Sequence, residues 1–383
     1  MNISETFFAL LHMKICPNAT WDNRHLTEDD LKQLYSLAKA HDLSQFIASA
    51  LNDIGILPEG DQSKLQNTMI RTMWRFEKMN YELERICRVL EENKIDYMPL
   101  KGAVIRQYYP EPWMRTSCDI DILVHEKDLE LMSGLLVREL NYVLDREDGA
   151  LRHIWMHAPN GINFEPHFNL HENSDKLDLV LDEVWANSSL KEGCGHHYVQ
   201  SPEFLMFHVI VHMSGHFLHG GCGIKPFIDL YLLEQSLDYD NERLMDFCTR
   251  AGVWQFYKCV RQVIDVWFNG LPHTDITRRI ENYILAGGVY GTTSNVVAIE
   301  QKKAGGKSLH LLKRIFMPYN SLKIKYPILV KHSYLTPIYE VVRWIQMLRK
   351  KKLGQYTQEL DMIRNLDETK LLEICQLLDD VGL

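Results

Sequence analysis

The sequence lacks paired cysteines and any long apolar run. Its eight cysteines are scattered, and no two of them form a CxxC pair, which disfavours a disulfide framework and favours reduced thiols. No stretch approaches the roughly 20 consecutive apolar residues of a membrane-spanning helix. The opening MNISETFFALLHMK contains Glu5 and no basic leader, which indicates an amphipathic helix rather than a signal peptide. We therefore expect a cytoplasmic protein with no membrane segment.

An excess of basic residues is also missing. The 42 Lys and Arg residues are outnumbered by 51 Asp and Glu residues, for a net charge of -9, which argues against a chain coated along its length by nucleic acid. Hydrophobic residues make up 46% and charged residues 24% of the chain, as in ordinary globular proteins. The length of 383 residues predicts two or three structural units.

Three regions follow one another along the chain. Residues 1–93 show helical spacing of apolar residues, and Thr27 with Asp30 resembles a capping box. Residues 94–185 predict short strands and helices in the order β-α-β-α-β-β-β, which indicates an α+β or α/β core with a small mixed sheet. Residues 186–383 return to helices. Within them, the segment 287–308 is rich in Gly, Ser and Thr, so we expect a mobile loop there, as a linker or a lid.

The predicted strand CDIDILV carries two acidic residues on one face. Because side chains alternate along a strand, Asp119 and Asp121 lie side by side while Ile120, Ile122 and Val124 face the core. Neighbouring carboxylates repel each other unless a cation lies between them, so the pair suits Mg²⁺. A solvated acidic edge strand is the alternative, and this motif alone does not decide between them.

Two further features strengthen the metal interpretation. The strand GINFEPHFNLH places Glu165 and His167 on one face; if it lies beside CDIDILV, Glu165 completes a set of three carboxylates. An exposed polar face is the alternative. The turn at Lys101 and Gly102 precedes a predicted short helix, where backbone N–H groups and the lysine charge suit a phosphate. An ordinary turn between a strand and a helix would look the same.

The ordered set LKGAVIRQYY, Arg115, CDIDILV and FEPHFNLH resembles the uncharacterised nucleotidyltransferase family of the DNA polymerase β-like superfamily. Many members of that superfamily carry Gly or Ser where this turn has Ala103. The resemblance implies transfer of a nucleoside monophosphate from an NTP, expected to be ATP, to an acceptor hydroxyl with release of pyrophosphate. It implies Mg²⁺, with Mn²⁺ as the substitute ion, held by Asp119, Asp121 and Glu165. Lys101, the amides near Gly102, and Arg115 would lie on the nucleotide phosphates.

Several residues of the C-terminal region are further candidates. His208, His212 and His216 are four residues apart on one helical face; His212, like His167, is a candidate substrate contact, although buried structural histidines are the commoner case. Lys225 is a candidate phosphate ligand, and a local ion pair with Asp229 is the alternative.

Two rival functions stay open. One is a non-catalytic nucleotide-binding or antitoxin-like module on a degenerate nucleotidyltransferase fold. The other is a metal hydrolase with a transition metal on His208 and His212. For the transferase, the acceptor could be a small molecule, an RNA end or a protein.

Overall fold

A computed structural model gives the structure of the protein. It describes residues 2–16, 19–21, 25–56, 62–145, 155–172, 174–306, 309, 316–317, 319–349 and 368–383. The fold is mixed α+β, as the sequence predicted, with one central sheet between groups of helices. None of the helices in these ranges combines the length and the apolarity needed to cross a membrane.

The central sheet has five strands in the spatial order β1-β2-β5-β4-β3, and two further strands form a small antiparallel sheet. Strands β2 and β5 are parallel, whereas the other neighbouring pairs of the central sheet are antiparallel. The strands are β1 (Tyr97–Pro99), β2 (Asp119–Val124), β3 (Val143–Asp145), β4 (Trp155–His157), β5 (Asn163–His167), β6 (Ser188–Leu190) and β7 (Tyr198–Gln200).

Helices precede, interrupt and follow the sheet. Short 3-10 turns at Arg106–Tyr108 and Pro112–Met114 follow helix α5, and the predicted order β-α-β-α-β-β-β is confirmed. The α-helices are α1 (Ile3–Ile15), α2 (Glu28–Ala40), α3 (Ser44–Asp53), α4 (Gln62–Glu92), α5 (Gly102–Ile105), α6 (Leu129–Leu140), α7 (Asp175–Leu181), α8 (Pro202–Phe217), α9 (Lys225–Ser236), α10 (Asn241–Arg250), α11 (Trp254–Phe268), α12 (Asp275–Gly287), α13 (Thr293–Ala304), α14 (Tyr319–Lys325), α15 (Ile328–Lys331), α16 (Thr336–Arg349) and α17 (Glu368–Val381).

The two faces of β2 contact different cores. Ile120, Ile122 and Val124 are buried with apolar residues of α4 and α6. Leu123 points the other way, into the larger core, to which helices before and after the sheet contribute. Because side chains alternate along a strand, Asp119 and Asp121 share the face of Leu123. The acidic residues therefore point at the helical part of the molecule, as the alternation in CDIDILV predicted.

The N-terminal helices pack directly on the C-terminal ones. Phe8 of α1 stacks on Trp267 of α11, with ring centroids 4.1 Å apart. Both belong to one continuous apolar core that also takes in residues of α2, α3, α8 and α9. Burial of large aromatic side chains is among the strongest contributions to packing. The helical regions before and after the sheet share this core. The division of the chain at residues 93 and 185 therefore stays a prediction.

The predicted loop at 287–308 is wrong for most of its length. Residues Thr293–Ala304 form helix α13, whose Val297, Ala298 and Ile299 are buried. The helix is capped at its N-terminus by the Thr292 hydroxyl, which accepts from the backbone N–H of Asn295, and it ends at Gly305 in the left-handed conformation. Residues 307 and 308 lie outside the described ranges.

Candidate active site

The turn after β1 holds Lys101 in a conformation that favours glycine. Lys101 has φ 46° and ψ -119°, and the N–H of Ala103 donates to the Leu100 carbonyl at 3.1 Å. These values match the first central position of a type II′ turn, where a side chain is strained by about 1–3 kcal/mol. The turn is joined to β2 because the Leu100 N–H donates to the Asp121 carbonyl at 3.0 Å. It carries the Lys101 ammonium to 3.2 Å from Asp121 Oδ1.

Strand β5 brings a second carboxylate beside β2. In the parallel ladder Asp121 lies directly opposite Glu165, so both side chains leave the same face of the sheet. His167, two residues further along β5, donates from Nε2 to Asp121 Oδ1 at 2.8 Å and lies 3.6 Å from Glu165 Oε2. Asp121, Glu165 and His167 offer ligand atoms that all lie within 4.8 Å of one another.

Burial and charge separate the two aspartates. Burial raises the pKa of Asp119 to about 6, and the negative charges of Asp121 and Glu165 add to this effect. Burial would also raise the pKa of Asp121, but the Lys101 ammonium and the His167 ring hold it below its ordinary value. Within the described chain, no side chain donates a hydrogen bond to the Asp119 carboxylate. Asp121 is therefore compensated by two direct contacts. Asp119 lies outside the close group of Asp121, Glu165 and His167, and Lys101 and His167 only partly offset the rise in its pKa.

This donor set fits a divalent metal ion. Carboxylate oxygens are the ligands that Mg²⁺ and Mn²⁺ prefer in proteins, and an imidazole is compatible with Mn²⁺. The raised pKa of Asp119 has the direction expected of a buried carboxylate near like charges, and a bound cation would relieve both effects. The chemistry of the residues thus agrees with a metal site, but the group differs from the predicted ligands. His167, which the sequence did not predict as a ligand, belongs to it, whereas Asp119, which the sequence did predict, does not.

Arg115 is held by a buried carboxylate of α9. Its Nε and Nη2 donate to Asp229 Oδ1 and Oδ2, both at 2.7 Å, and its Nη1 donates to the Thr116 carbonyl at 2.6 Å. The Tyr109 hydroxyl donates to Asp229 Oδ1 at 2.5 Å. Two parallel bonds from one guanidinium fix its orientation. Arg115 thereby anchors the segment that leads into β2.

Lys225 anchors the same segment from a second point. Its ammonium lies 2.5 Å from Asp42 Oδ2 and 3.0 Å from the Thr116 hydroxyl, and Thr116 itself donates to Asp42 at 2.7 Å. The local ion pair with Asp229, which the sequence left open, is replaced by this pairing with Asp42. Residues far apart in the chain therefore fix the start of β2 to α9 and to the end of α2.

The histidines of α8 form one wall of the site. His212 Nδ1 lies 3.4 Å from Glu172 Oε1, and His212 and His216 share a hydrogen bond of 3.1 Å between their Nε2 atoms. His208 contacts Gln200 instead. Burial, with the nearby Lys101 charge, lowers the pKa of His208 to about 3 and that of His212 well below its usual range. His208 and His212 do not belong to the group of metal-ligating side chains found in the described chain, which disfavours the histidine-based hydrolase.

These walls enclose a cavity of about 320 Å³, which we call the carboxylate cleft. Its volume is that of a small-molecule site. All but one of the candidate residues named from the sequence line it; the exception is His167, whose ring contacts Asp121. The lining includes Asp119, Asp121, Glu165, Lys101, Gly102, Arg115, Lys225 and His212. Residues separated by more than 100 positions in sequence thus converge on one cleft.

Some residues of the cleft were missed from the sequence. Ser117 packs against the turn so closely that a Cβ at Gly102 would lie 2.8 Å from its Oγ, so a hydroxyl stands beside the turn although Ala103 provides none. Asp42 contacts Lys225 without any local signal, since its partner is 183 residues away. Tyr290 lines the cleft from the loop between α12 and α13; the glycines around it were noted only as loop formers.

Comparison with known proteins identifies one family. A family described as "Uncharacterised nucleotidyltransferase" matches residues 27–269, well over half of the chain. No curated protein matches the chain.

Proposed function

The chain belongs to the uncharacterised nucleotidyltransferase family, and we propose that it transfers a nucleoside monophosphate from an NTP to an acceptor hydroxyl in an Mg²⁺-dependent reaction. Members of this family are transferases of phosphorus-containing groups. The observation that carries the proposal is the placement of Asp121 opposite Glu165 in the parallel β2–β5 ladder, with Asp119 on the same face.

Asp119, Asp121 and Glu165 would hold Mg²⁺, or Mn²⁺ in its place, which would supply positive charge to the triphosphate oxygens. Lys101 approaches the same carboxylates, and its ammonium can move to the β- and γ-phosphates because it ends a flexible side chain. Gly102 keeps the turn close to Ser117. His167 fixes the orientation of Asp121 through its hydrogen bond.

In the transfer, the acceptor oxygen forms a bond to the α-phosphorus while the bond from that phosphorus to the pyrophosphate oxygen breaks. Glu165 orients the acceptor hydroxyl and takes its proton. The charges of Arg115 and Lys225 are paired with Asp229 and Asp42. In addition to the phosphate contacts predicted from the sequence, the two residues therefore position the segment that leads into β2. Their place in the lining keeps both within reach of a bound nucleotide.

The donor, the acceptor and the location are the open details of the proposal. We take ATP as the first donor to test, and small molecules, RNA ends and proteins as acceptor classes. A cytoplasmic location stays a prediction. The non-catalytic nucleotide-binding or antitoxin-like module is the remaining rival, since it would act without turnover and without an affinity for metal and nucleotide that depends on the carboxylates.

The test is label transfer. The protein is incubated with each α-³²P-labelled NTP, Mg²⁺ and cell extract, and compared with an Asp119→Ala/Asp121→Ala variant. An Asp246→Ala variant is the matched control, because Asp246 is an exposed acid on α10, outside the lining of the cleft, and pairs with Arg250. We expect label transfer by the unaltered protein and by the control, and its loss in the double variant. Equal labelling by all three proteins would overturn the catalytic assignment. Calorimetry with NTP and Mg²⁺ that shows no affinity dependent on the carboxylates would favour the rival.

A further inference from the structure

An exposed tyrosine stands at the mouth of the carboxylate cleft. Tyr290 is 76% exposed yet lines the cleft together with its neighbour Val289. No other Tyr, Phe or Trp lines the cleft in the part of the chain that the structure describes. Large aromatic side chains bury much apolar surface when another group packs on them. An exposed ring beside a polar cavity therefore has a face that a ligand can contact.

The backbone that carries Tyr290 is fixed. The Val289 N–H donates to the Ala40 carbonyl at 3.0 Å, and the Thr292 N–H donates to the Gly220 carbonyl at 3.3 Å. Gly288 and Gly291 have φ of 61° and 72° and pack against the backbone of Ala40 and Gly220, so closely that neither has room for a side chain. Glycine at both positions lets the loop approach its neighbours. Tyr290 therefore projects from a loop that backbone hydrogen bonds and close packing hold in place.

The position of the tyrosine relates it to the carboxylates. Tyr290 lines the cleft together with Cys118 and Asp119, and the nearby Cys118, Asp42 and Asp119 raise its pKa. Cys118 directly precedes Asp119, the first residue of β2. The ring thus lies near the acidic end of the site but outside the carboxylate cluster, where the part of a nucleotide beyond its phosphates would emerge.

We propose that Tyr290 is the nucleobase platform of the cleft, on which the base of the bound NTP stacks. This rests on the proposed function, since it assumes a nucleoside triphosphate with its phosphates at Lys101 and the carboxylates. Stacking on an aromatic ring tolerates any base because every base has a π-face. The platform therefore holds the nucleoside without choosing strongly among the four bases.

The experiment separates the base from the phosphates. Binding of α,β-methylene-ATP, which cannot donate its nucleoside monophosphate, and of inorganic tripolyphosphate is measured by calorimetry with Mg²⁺ present. Loss of a base-stacking contact corresponds to a roughly five- to 150-fold drop in affinity. We expect Tyr290→Ala to weaken α,β-methylene-ATP by about tenfold or more and to leave tripolyphosphate unchanged. Tyr290→Phe, which keeps the ring and removes the hydroxyl, should bind both ligands as the unaltered protein does.

Tyr334 provides the matched control, since it is 74% exposed and lies outside the lining of the cleft. Tyr334→Ala should change neither affinity. Three results would overturn the platform while leaving the proposed function in place. Tyr290→Ala could lose affinity for both ligands equally, or for neither. Alternatively, Tyr290→Phe could lose as much affinity as Tyr290→Ala. Failure of both ligands to bind the unaltered protein would refute the proposed function and the platform together.

Discussion

The buried pair of Arg115 and Asp229 gives a sharp test of how the site is supported. The two side chains are 13% and 3% exposed and are joined by two bonds of 2.7 Å. At a charge separation of about 4 Å, an effective dielectric constant near 20 gives an attraction of about 4 kcal/mol, which desolvation of both charges offsets. Removing one partner leaves the other charge buried, so we expect Arg115→Met to lower the free energy of unfolding by about 3–5 kcal/mol.

The double variant Arg115→Met/Asp229→Leu removes both charges. It should recover most of that loss, because a well-packed apolar pair is often as stable as a buried ion pair. Urea unfolding followed by tryptophan fluorescence measures both variants, with the slopes compared to check that the unfolded states match. Arg250→Met is the control: its pair with Glu183 is 39% and 37% exposed, so it should cost at most about 1 kcal/mol. A loss below about 1 kcal/mol in Arg115→Met, or a double variant no more stable than Arg115→Met, would refute this account.

Two further predictions concern the turn at Lys101 and Gly102. Gly102→Ala should lower kcat about 100-fold, because the new Cβ would lie 2.8 Å from Ser117 Oγ and displace it. The double variant Gly102→Ala/Ser117→Gly should restore much of the rate. An unchanged kcat in Gly102→Ala would contradict the reasoning. Lys101→Met and Lys101→Gly should each bind Mn²⁺ alone roughly tenfold more tightly in electron paramagnetic resonance titrations, because the ammonium 3.2 Å from Asp121 no longer repels the ion. Lys225→Met, whose lysine pairs with Asp42, should not change Mn²⁺ affinity, and an unchanged Lys101 variant would count against this effect.

The local part of the site could be predicted from the sequence. The alternation in CDIDILV placed Asp119 and Asp121 on one face, and the structure confirms that Ile120, Ile122 and Val124 are buried on the other. The order of strands and helices between β1 and β5 also followed from periodicity and turn residues. These features depend on spacing within a single element, which a sequence displays directly.

Partners distant in the sequence could not be predicted. Nothing local to Lys225 shows that Asp42, 183 residues away, is its partner, since the parallel ladder and the packing of α9 must form first. Helix α13 was missed for a different reason: Gly287, Gly288, Gly305 and Gly306 dominated the composition of the segment. Thr292 followed by Val296, Val297 and Ile299 was the signal of a capped, partly buried helix.

The helices around the sheet determine the geometry of the carboxylates as much as the sheet does. Asp119 begins β2, so its position depends on the segment from Arg115 to Cys118. Arg115 is tied to α9 through Asp229, and Thr116 to Lys225 and Asp42. Arg75 of α4 adds donors to the carbonyls of Ser117 and Cys118, at 3.2 and 3.0 Å. Because α4, α9 and the turn after α2 all hold this segment, a sheet without those helices would keep its strands but lose the alignment of Asp119 with Asp121 and Glu165.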